Sequence, residues 1–278
     1  MTFTTRPLSP VLGAELIGFD ASAPYTPETV AALKQAFLDH HLLLIRGQEV
    51  SAEDEVRLSE LFGPVSKMGE HMKHGGKTMN ISNAHKDGAL PTGELLFHSD
   101  QIFCKYPLKA IALYAIEVPS KGGDTLYSNA ALAWDNLPPR LKERVQGLKT
   151  INVYDYGHNR GDRLADTDNL TNLAVSAEHA IAWPHPDTGR PVLLINRLMT
   201  TRIVGLDKAE SDALLQELFT YTEDPKITYR HVWQKRDLVF WDNRVLQHAR
   251  TDFDPAEKRV LRRVPIAEHE NAVGPVMI

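Results

Sequence analysis

The segment Leu96-Phe97-His98-Ser99-Asp100 offers an imidazole and a carboxylate two residues apart. In an extended chain, side chains at positions i and i+2 project from the same face, so His98 and Asp100 can approach one metal ion. A second imidazole is available at His248, which follows the strand-like run from Leu238 to Trp241. Two histidines and one carboxylate, with further coordination positions left open, suit non-haem Fe(II). The sequence therefore predicts a metal site built from His98, Asp100 and His248.

Length and composition indicate a globular protein with a sizeable core. The chain has 278 residues, of which 42% are hydrophobic and 24% charged, and this favours one domain spanning residues 1–278. The formal charge of −5 and the isoelectric point near 6.2 give no general attraction to phosphate backbones. A nucleic-acid partner is therefore not expected.

The sequence shows no targeting or membrane signal. Its first residues lack an apolar segment of signal-peptide length, and no run approaches the roughly 20 apolar residues that a membrane span requires. A cytoplasmic location is therefore expected, without membrane association. The one cysteine, Cys104, excludes an intramolecular disulfide and a cysteine-rich zinc site. It is interpreted as a small buried side chain.

Strand-like runs outnumber helical ones, and turns or loops separate most of them. The runs typical of strands are 42–45, 78–82, 110–116, 150–154, 192–195, 227–233, 238–241 and 260–266. A helix is predicted from Asp207, its N-cap, to Tyr221. The pattern favours a mainly β fold with flanking helices, in which a double-stranded β-helix of the jelly-roll, cupin-like type carries the metal in its mouth.

Local signals predict where several elements begin. Thr26 is a suitable N-cap with Pro27 at the first helical position, and the segment 51–54 resembles a capping box. The pair Gly122-Gly123 allows a tight turn that places Thr125 at the start of a strand.

Two stretches are polar and weakly periodic, around residues 64–96 and 157–180. Long loops in a compact domain often serve as functional lids. Both stretches are therefore predicted to be lid-like loops. The first of them leads directly into the His98 segment.

The remaining histidines are interpreted more conservatively, because a single histidine is more often a core or surface residue than a ligand. His185 and the pair His40-His41 have no carboxylate at strand spacing, so they are assigned structural or solvent roles. Three histidines of the first long loop suit either a substrate entrance or a solvated loop: His71, His74 and His85.

Two arginines follow the distal histidine by 11 and 15 residues, Arg259 and Arg263. This spacing predicts that both lie on one face of the last strand. Two guanidinium groups beside a metal would repel each other unless anions neutralised them, and the arginine fork matches a carboxylate. The alternative is surface salt bridging, which is the interpretation preferred for the oppositely facing Arg262.

Several motifs occur in an order that resembles the taurine / 2,4-dichlorophenoxyacetate dioxygenase family of Fe(II)- and 2-oxoglutarate-dependent oxygenases. The resemblance spans nearly the whole chain. It includes 44–48, Phe62-Gly63, 97–100, 122–125, Thr200-Thr201-Arg202-Ile203, Trp241-Asp242-Asn243-Arg244, His248, Arg259 and Arg263.

The resemblance implies a role for each motif residue. It makes His98, Asp100 and His248 the iron ligands. Thr125 and Arg259 would hold the distal carboxylate of 2-oxoglutarate, and Arg263 would face the acidic group of the primary substrate. The implied reaction consumes O2 and 2-oxoglutarate, releases succinate and carbon dioxide, and hydroxylates a C–H bond. Related halogenases have a small residue in place of Asp100, so chlorination is disfavoured.

The chain departs from the taurine enzymes at the substrate. Met68 and Leu95 align where those enzymes carry a histidine and an asparagine, which argues against taurine. An apolar wall with one arginine better suits a small hydrophobic or aromatic acid, resembling an aryloxyalkanoate or an alkylsulfonate.

Two other functions are considered. A zinc hydrolase could use the same ligands, but it lacks a recognisable nucleophile and leaves Arg259 and Arg263 unexplained. A non-catalytic barrel could bind a small organic acid, with the histidines serving only the fold. The sequence does not decide between a monomer and a homo-oligomer.

Overall fold

The protein is built mainly from β-strands. The computed structural model describes residues 3–66, 77–85, 88–89, 92–157, 167 and 169–270. Its strands are β1 (Thr4–Pro7), β2 (Ala14–Ile17), β3 (Leu42–Ile45), β4 (Met79–Ser82), β5 (Leu95–His98), β6 (Ala110–Glu117), β7 (Thr125–Asn129), β8 (Lys149–Asp155), β9 (Ala174–Ala180), β10 (Ala182–Pro184), β11 (Pro191–Leu193), β12 (Thr200–Ile203), β13 (Thr228–His231), β14 (Leu238–Asp242), β15 (Leu246–Arg250) and β16 (Val260–Ile266).

Two sheets form the jelly-roll core. The larger has the strand order β1-β2-β3-β14-β6-β16-β4, and the smaller has the order β13-β7-β15-β5. Apart from the parallel pair β2 and β3, their strands pair antiparallel. A third sheet, β12-β8-β9, and the hairpin β10-β11 complete the described strands. The predicted double-stranded β-helix fold is therefore confirmed.

The helices flank these sheets. They are α1 (Pro27–His40), α2 (Ala52–Glu60), α3 (Ala130–Asn136), α4 (Pro139–Val145) and α5 (Lys208–Thr222), and a short 3-10 turn covers Pro225–Ile227. None of the helices in the described part of the chain combines the length and the apolar character needed to cross a membrane.

The predicted helix starts are confirmed. The Thr26 side chain accepts a hydrogen bond from the backbone of Thr29, and Ser51 forms a reciprocal capping box with Asp54. The side chain of Asp207 accepts from the backbone of Glu210 at the start of α5. These caps satisfy backbone N–H groups that have no partner within their helices.

Strand β14 shows how the larger sheet separates two cores. Leu238 and Phe240 pack with α1 and α2 on its outer face, whereas Val239 and Trp241 pack toward the smaller sheet. Successive side chains of a strand point to opposite faces, so a strand buried on both faces is apolar throughout. This is why the continuous run Leu42–Ile45 could be predicted as a strand.

Three segments differ from the sequence interpretation. His248 follows strand β14, as predicted, but it lies within a further strand, β15, that was not predicted. Residues Ala174–Ala180, expected to belong to an irregular lid, form strand β9 and pair with β8 along its length. The first expected lid contains strand β4 and ends in β5. Residues 67–76 and 158–166, which include other parts of the two expected lids, lie outside the described residues.

Candidate active site

The pairing of strands β5 and β15 brings the two predicted histidine ligands together. In the antiparallel register His98 lies directly opposite His248, and their ring centroids are 4.1 Å apart. Asp100 follows β5 by two residues. Its Oδ1 atom is 3.6 Å from Nε2 of His98, and its Oδ2 atom is 4.0 Å from Nε2 of His248. The three side chains can thus direct one ligand atom each toward a common point, with all three atoms within 4.8 Å of one another.

The protonation states of this triad suit a divalent cation. Nδ1 of His98 lies 2.7 Å from the carbonyl oxygen of Leu96, a contact that assigns the proton to Nδ1 and leaves the Nε2 lone pair facing the triad. Burial is the main cause that lowers the pKa of His248 to about 3; the neighbouring His98 contributes to this shift and Asp100 opposes it. His248 is therefore neutral at physiological pH.

Asp100 supplies the negative charge of the triad. Burial alone would favour the neutral acid, but Arg263, His248 and His98 outweigh that effect and hold the pKa of this carboxyl below its ordinary value. Two neutral nitrogen donors and one anionic oxygen fit Fe(II) and leave coordination positions for other molecules.

A cavity of about 310 Å³ adjoins the triad. Both main sheets contribute to its wall, which also includes all three triad residues. Most of the other side chains are apolar or aromatic. They are Met79, Ile81, Ala89, Leu95, Phe103, Leu113, Tyr154, Tyr156, Leu198, Met199, Trp241, Ala249 and Pro265.

Arg259 and Thr125 face this cavity from neighbouring elements. Thr125 is the first residue of β7, as predicted. Arg259 directly precedes β16, is only 3% exposed, and donates from Nε to the carbonyl oxygen of Gly123. Gly123 has a positive φ of 66°, and a Cβ atom there would lie 3.0 Å from the Arg259 side chain. Glycine at this position therefore provides both the turn and the space for the arginine.

The electrostatics of Arg259 favour an anion. Burial, together with the nearby Arg250, lowers the pKa of its guanidinium to about 9. Within the described residues its side chain forms no ion pair, and its only hydrogen bond is the one to Gly123. A buried guanidinium without a protein carboxylate is costly, so this position suits the carboxylate of a bound molecule.

Arg263 contacts one of the predicted metal ligands, Asp100. Its Nη2 atom donates to Oδ2 of Asp100 over 2.7 Å, and Nη1 contacts the sulfur of Met79 at 3.4 Å. Both Arg259 and Arg263 line the cavity, although only Arg263 lies on the last strand, where the spacing had placed both.

Arg262 faces the opposite way, as expected, but the interpretation as a surface salt bridge is wrong. Its Nε atom donates to Oε2 of Glu55, a fully buried side chain of helix α2. The packing of α2 on β16 buries this ion pair, and sequence spacing gives no sign of that.

The other predicted side chains occupy varied places. Leu95 lines the cavity, while Met68 lies outside the described residues. His185 is buried and bonds to Asp242 at 3.0 Å, in agreement with a structural role, and Cys104 is buried and unpaired as a thiol.

Sequence reasoning missed three features of the cavity. Arg250 lies two residues after His248 on β15 and donates from Nε and Nη2 to the carbonyl oxygen of Gly93. Placing His248 within a strand would have predicted Arg250 on the same face.

The other two features had no comparable sequence signal. Trp233 donates from Nε1 to Oγ1 of Thr125 over 3.0 Å. Tyr154 stacks on Phe103 with centroids 4.9 Å apart and meets Tyr156 edge-on at 4.8 Å. Phe103, Tyr154 and Tyr156 together form an aromatic corner of the cavity near Asp100.

The jelly-roll sheets, the three converging donors and the adjoining cavity define a non-haem metal enzyme. Comparisons with known proteins identify its family. A family model described as "Taurine catabolism dioxygenase TauD, TfdA family" matches residues 4–264.

Relatives and solved structures agree with this match. The chain is 30% identical to an alkylsulfatase of Acinetobacter baylyi, over 94% of this chain and 84% of the relative. It is also 30% identical to a (S)-phenoxypropionate/alpha-ketoglutarate-dioxygenase of Sphingobium herbicidovorans, over 95% of each chain. A crystal structure of a putative alpha-ketoglutarate-dependent taurine dioxygenase from Burkholderia xenovorans superposes with a TM-score of 0.80 at 27% identity, covering 96% of this chain and 93% of the other.

The chain belongs to the TauD/TfdA dioxygenase family. It is an Fe(II)- and 2-oxoglutarate-dependent dioxygenase, with O2 as the second cosubstrate. These findings support neither a zinc hydrolase nor a non-catalytic carrier.

Proposed function

We propose that this dioxygenase hydroxylates a small organic acid with a hydrophobic or aromatic body, resembling an aryloxyalkanoate or an alkylsulfonate. In the balanced reaction, substrate R–H, O2 and 2-oxoglutarate give R–OH, succinate and carbon dioxide. The observation that carries the proposal is one cavity in which the triad, three arginine side chains and an apolar aromatic wall meet.

The triad residues His98, Asp100 and His248 would hold Fe(II). The chemistry supplied by the bound ion is the reduction of O2 coupled to oxidative decarboxylation of 2-oxoglutarate. The protein side chains set protonation and orientation: neutral imidazoles leave their Nε2 lone pairs available, and the anionic carboxylate lowers the charge of the site.

Arg259 and Thr125 would bind the distal carboxylate of 2-oxoglutarate. The guanidinium can form two parallel hydrogen bonds to a carboxylate, and the Thr125 hydroxyl can donate one more. Because Trp233 already donates to Oγ1 of Thr125, the hydroxyl proton is directed away from the indole and can serve the cosubstrate.

Arg263 would face the acidic group of the primary substrate, next to the carboxylate of Asp100. The aromatic corner of Phe103, Tyr154 and Tyr156 gives a ring or alkyl chain a surface on which to pack. Leu95 and Met68 would add to the apolar wall, and Leu95 lines the cavity in support of this. Taurine, which is short and carries an ammonium group, would gain little from such a wall.

The organisation of the chain supports a single catalytic domain over residues 1–278. The expected lids, 64–96 and 157–180, would border the cavity with their parts outside strands β4, β5 and β9. Ile81 and Leu95 belong to the first stretch and line the cavity, and Tyr156 lies just before the second.

The experiment is a succinate assay with Fe(II), ascorbate, 2-oxoglutarate and a panel of acids. The panel contains aryloxyalkanoates, arylalkanoates, alkyl sulfates, alkylsulfonates and taurine. We expect one of the hydrophobic or aromatic acids to stimulate succinate release most strongly, with a matching amount of hydroxylated product. Preferred turnover of taurine, or a panel in which no acid stimulates the reaction, would overturn the substrate assignment.

A matched variant tests the aromatic corner. Tyr154→Leu keeps an apolar side chain but removes the ring stacked on Phe103. Its KM should rise for aryl acids more than for alkyl acids of similar length, and an equal change for both classes would contradict a ring-binding role.

A further inference from the structure

We propose that Asn243 is a positioning residue that holds Asp100 in place against His248. The inference rests on the proposed function, because it assumes that Asp100 binds the metal. Asn243 does not line the cavity and would not touch the metal, the cosubstrate or the substrate.

The side-chain amide of Asn243 forms hydrogen bonds with both the N–H and the carbonyl group of Asp100. Oδ1 accepts a hydrogen bond from the Asp100 N–H at 2.8 Å. Nδ2 donates to the carbonyl oxygen of Asp100 at 2.9 Å and to that of Leu108 at 2.9 Å. Both amide protons and the amide oxygen are therefore used, and Asn243 is fully buried.

Asp100 needs such support because it lies outside the sheet. Strand β5 ends at His98, so no strand ladder fixes the backbone of Asp100. The next residue, Gln101, has a φ of 60°, a left-handed conformation that side-chain-bearing residues seldom adopt and that surrounding contacts must maintain. The chain then returns so that Leu108 N–H donates to the Asp100 carbonyl at 3.3 Å.

Asn243 also belongs to the segment that carries the other ligand. It lies in the turn between β14 and β15, five residues before His248. Its own backbone N–H donates to the carbonyl oxygen of Lys109. A buried ion pair stabilises this turn, because Arg244 donates from Nε and Nη2 to the two carboxylate oxygens of Asp242.

One amide side chain therefore joins the loop that carries Asp100 to the hairpin that carries His248. Without this link, the Asp100 carboxylate would be oriented less precisely toward the metal position. His98 and His248 would stay opposite each other, because the pairing of β5 and β15 holds them. Side chains that orient a metal ligand typically contribute about 10- to 100-fold to metal affinity.

The test compares metal binding in Asn243→Ala and Asn243→Leu with the wild type. The leucine variant keeps the shape of the amide and guards against a fold lost to a cavity. Calorimetric titration with Co(II) gives the affinity, and the visible absorption of bound Co(II) reports the ligand set. We expect affinity about 10- to 100-fold lower in both variants, with an altered absorption spectrum.

Asn129 provides the matched control. It is also buried, at 2% exposure; its Oδ1 accepts from the backbone of Ala131 and Leu132, and its Nδ2 donates to Val11. Asn129→Ala should lower the melting temperature while its Co(II) affinity stays close to that of the wild type, because Asn129 contacts none of the three triad residues. An equal loss of affinity in Asn129→Ala, or unchanged affinity in both Asn243 variants, would overturn the inference.

Asp100→Ala separates this outcome from failure of the proposed function. If the wild type binds Co(II) no better than Asp100→Ala, the metal assignment itself fails. If Asp100→Ala loses binding while both Asn243 variants match the wild type, the metal assignment stands and only the role of Asn243 is wrong.

Discussion

Nη2 of Arg263 lies 2.7 Å from Oδ2 of Asp100, so the arginine expected to recognise the substrate is hydrogen-bonded to a residue expected to bind iron. The two oxygens of this carboxylate therefore have different surroundings. Oδ1 faces His98, whereas Oδ2 is engaged by the guanidinium. Arg263 can thus orient the carboxylate and attract an acidic substrate to the same side of the triad.

Arg263→Ala should raise the KM for the primary acid by about 10- to 100-fold, the value of one charge-assisted hydrogen bond. The KM for 2-oxoglutarate should change little, because Arg259 and Thr125 remain. Arg263→Lys keeps the positive charge but not the two parallel N–H donors. Its KM for the primary acid should therefore lie between the values of the wild type and Arg263→Ala. Steady-state kinetics with each substrate varied in turn provides the measurement, and equal effects on both KM values would refute this division between the arginines.

Arg259→Met should weaken binding of 2-oxoglutarate by about 100-fold or more, because a buried charge-assisted pair is lost. The same change should raise the melting temperature of the protein without ligand, since it removes a buried guanidinium that forms no ion pair with a carboxylate in the described part of the chain. Titration of the Mn(II)-loaded protein with 2-oxoglutarate, together with thermal unfolding, checks both effects.

The exposed Arg202 offers a control for the loss of a positive charge. Arg202→Met should leave 2-oxoglutarate affinity nearly unchanged. A normal affinity in Arg259→Met would place the cosubstrate carboxylate elsewhere in the cavity.

Trp233→Phe tests the hydrogen bond to Thr125. Removing the indole N–H leaves Oγ1 of Thr125 with an unused acceptor position, so its hydroxyl is no longer held toward the cosubstrate. A neutral hydrogen bond contributes about 0.5–1.5 kcal/mol, which predicts a KM for 2-oxoglutarate about 2- to 10-fold higher. Metal affinity should be unaffected, and an unchanged KM would show that the indole does not orient Thr125.

Stability at acid pH should depend on His41, which ends helix α1 with a left-handed φ of 61°. Burial lowers the pKa of His41 from 6.5 to about 4, although Asp242 partly opposes the shift. The unfolded chain therefore binds more protons in this interval. The contribution of neutral His41 to stability is complete above pH 6.5 and is lost as the pH falls toward 4.

His41→Asn removes this titration and keeps a residue that tolerates the left-handed conformation. Urea unfolding should show that the variant loses less stability than the wild type between pH 7 and pH 5, about the interval in which the histidine begins to charge. His40→Asn serves as the neighbouring control. Identical pH dependence in wild type and His41→Asn would contradict the assignment to His41.

The sequence predicted the triad because few residue types bind this class of metal and because His98 and Asp100 lie two residues apart. The extended geometry assumed for that pair is wrong, since β5 ends at His98 and Asp100 lies in the following turn. The apolar run before His248 correctly pointed to a neighbouring strand, β14. Arg250 was missed because the strand register around His248 could not be read from the sequence, and a shift of one position exchanges the two faces. The aromatic corner likewise depends on how β8 packs beside the core, a tertiary contact without a local signal.

The roles of Asn243 and Arg262 show the same limit. Asn243 belongs to a motif recognised in the sequence. Its hydrogen bonds to Asp100, however, join residues far apart in the chain, and the sequence gives no sign of them. Arg262 was placed on the correct face, yet only the position of helix α2 shows that its partner Glu55 is buried.

The proposed function depends on one metal site, in which His98, Asp100 and His248 together hold the Fe(II) at which 2-oxoglutarate is consumed. Its most direct test is succinate release on adding Fe(II), ascorbate, 2-oxoglutarate and the best acid of the panel to wild type and to Asp100→Ala of confirmed fold. We predict that the wild type releases succinate and that Asp100→Ala releases none. Full succinate release by Asp100→Ala would contradict the account.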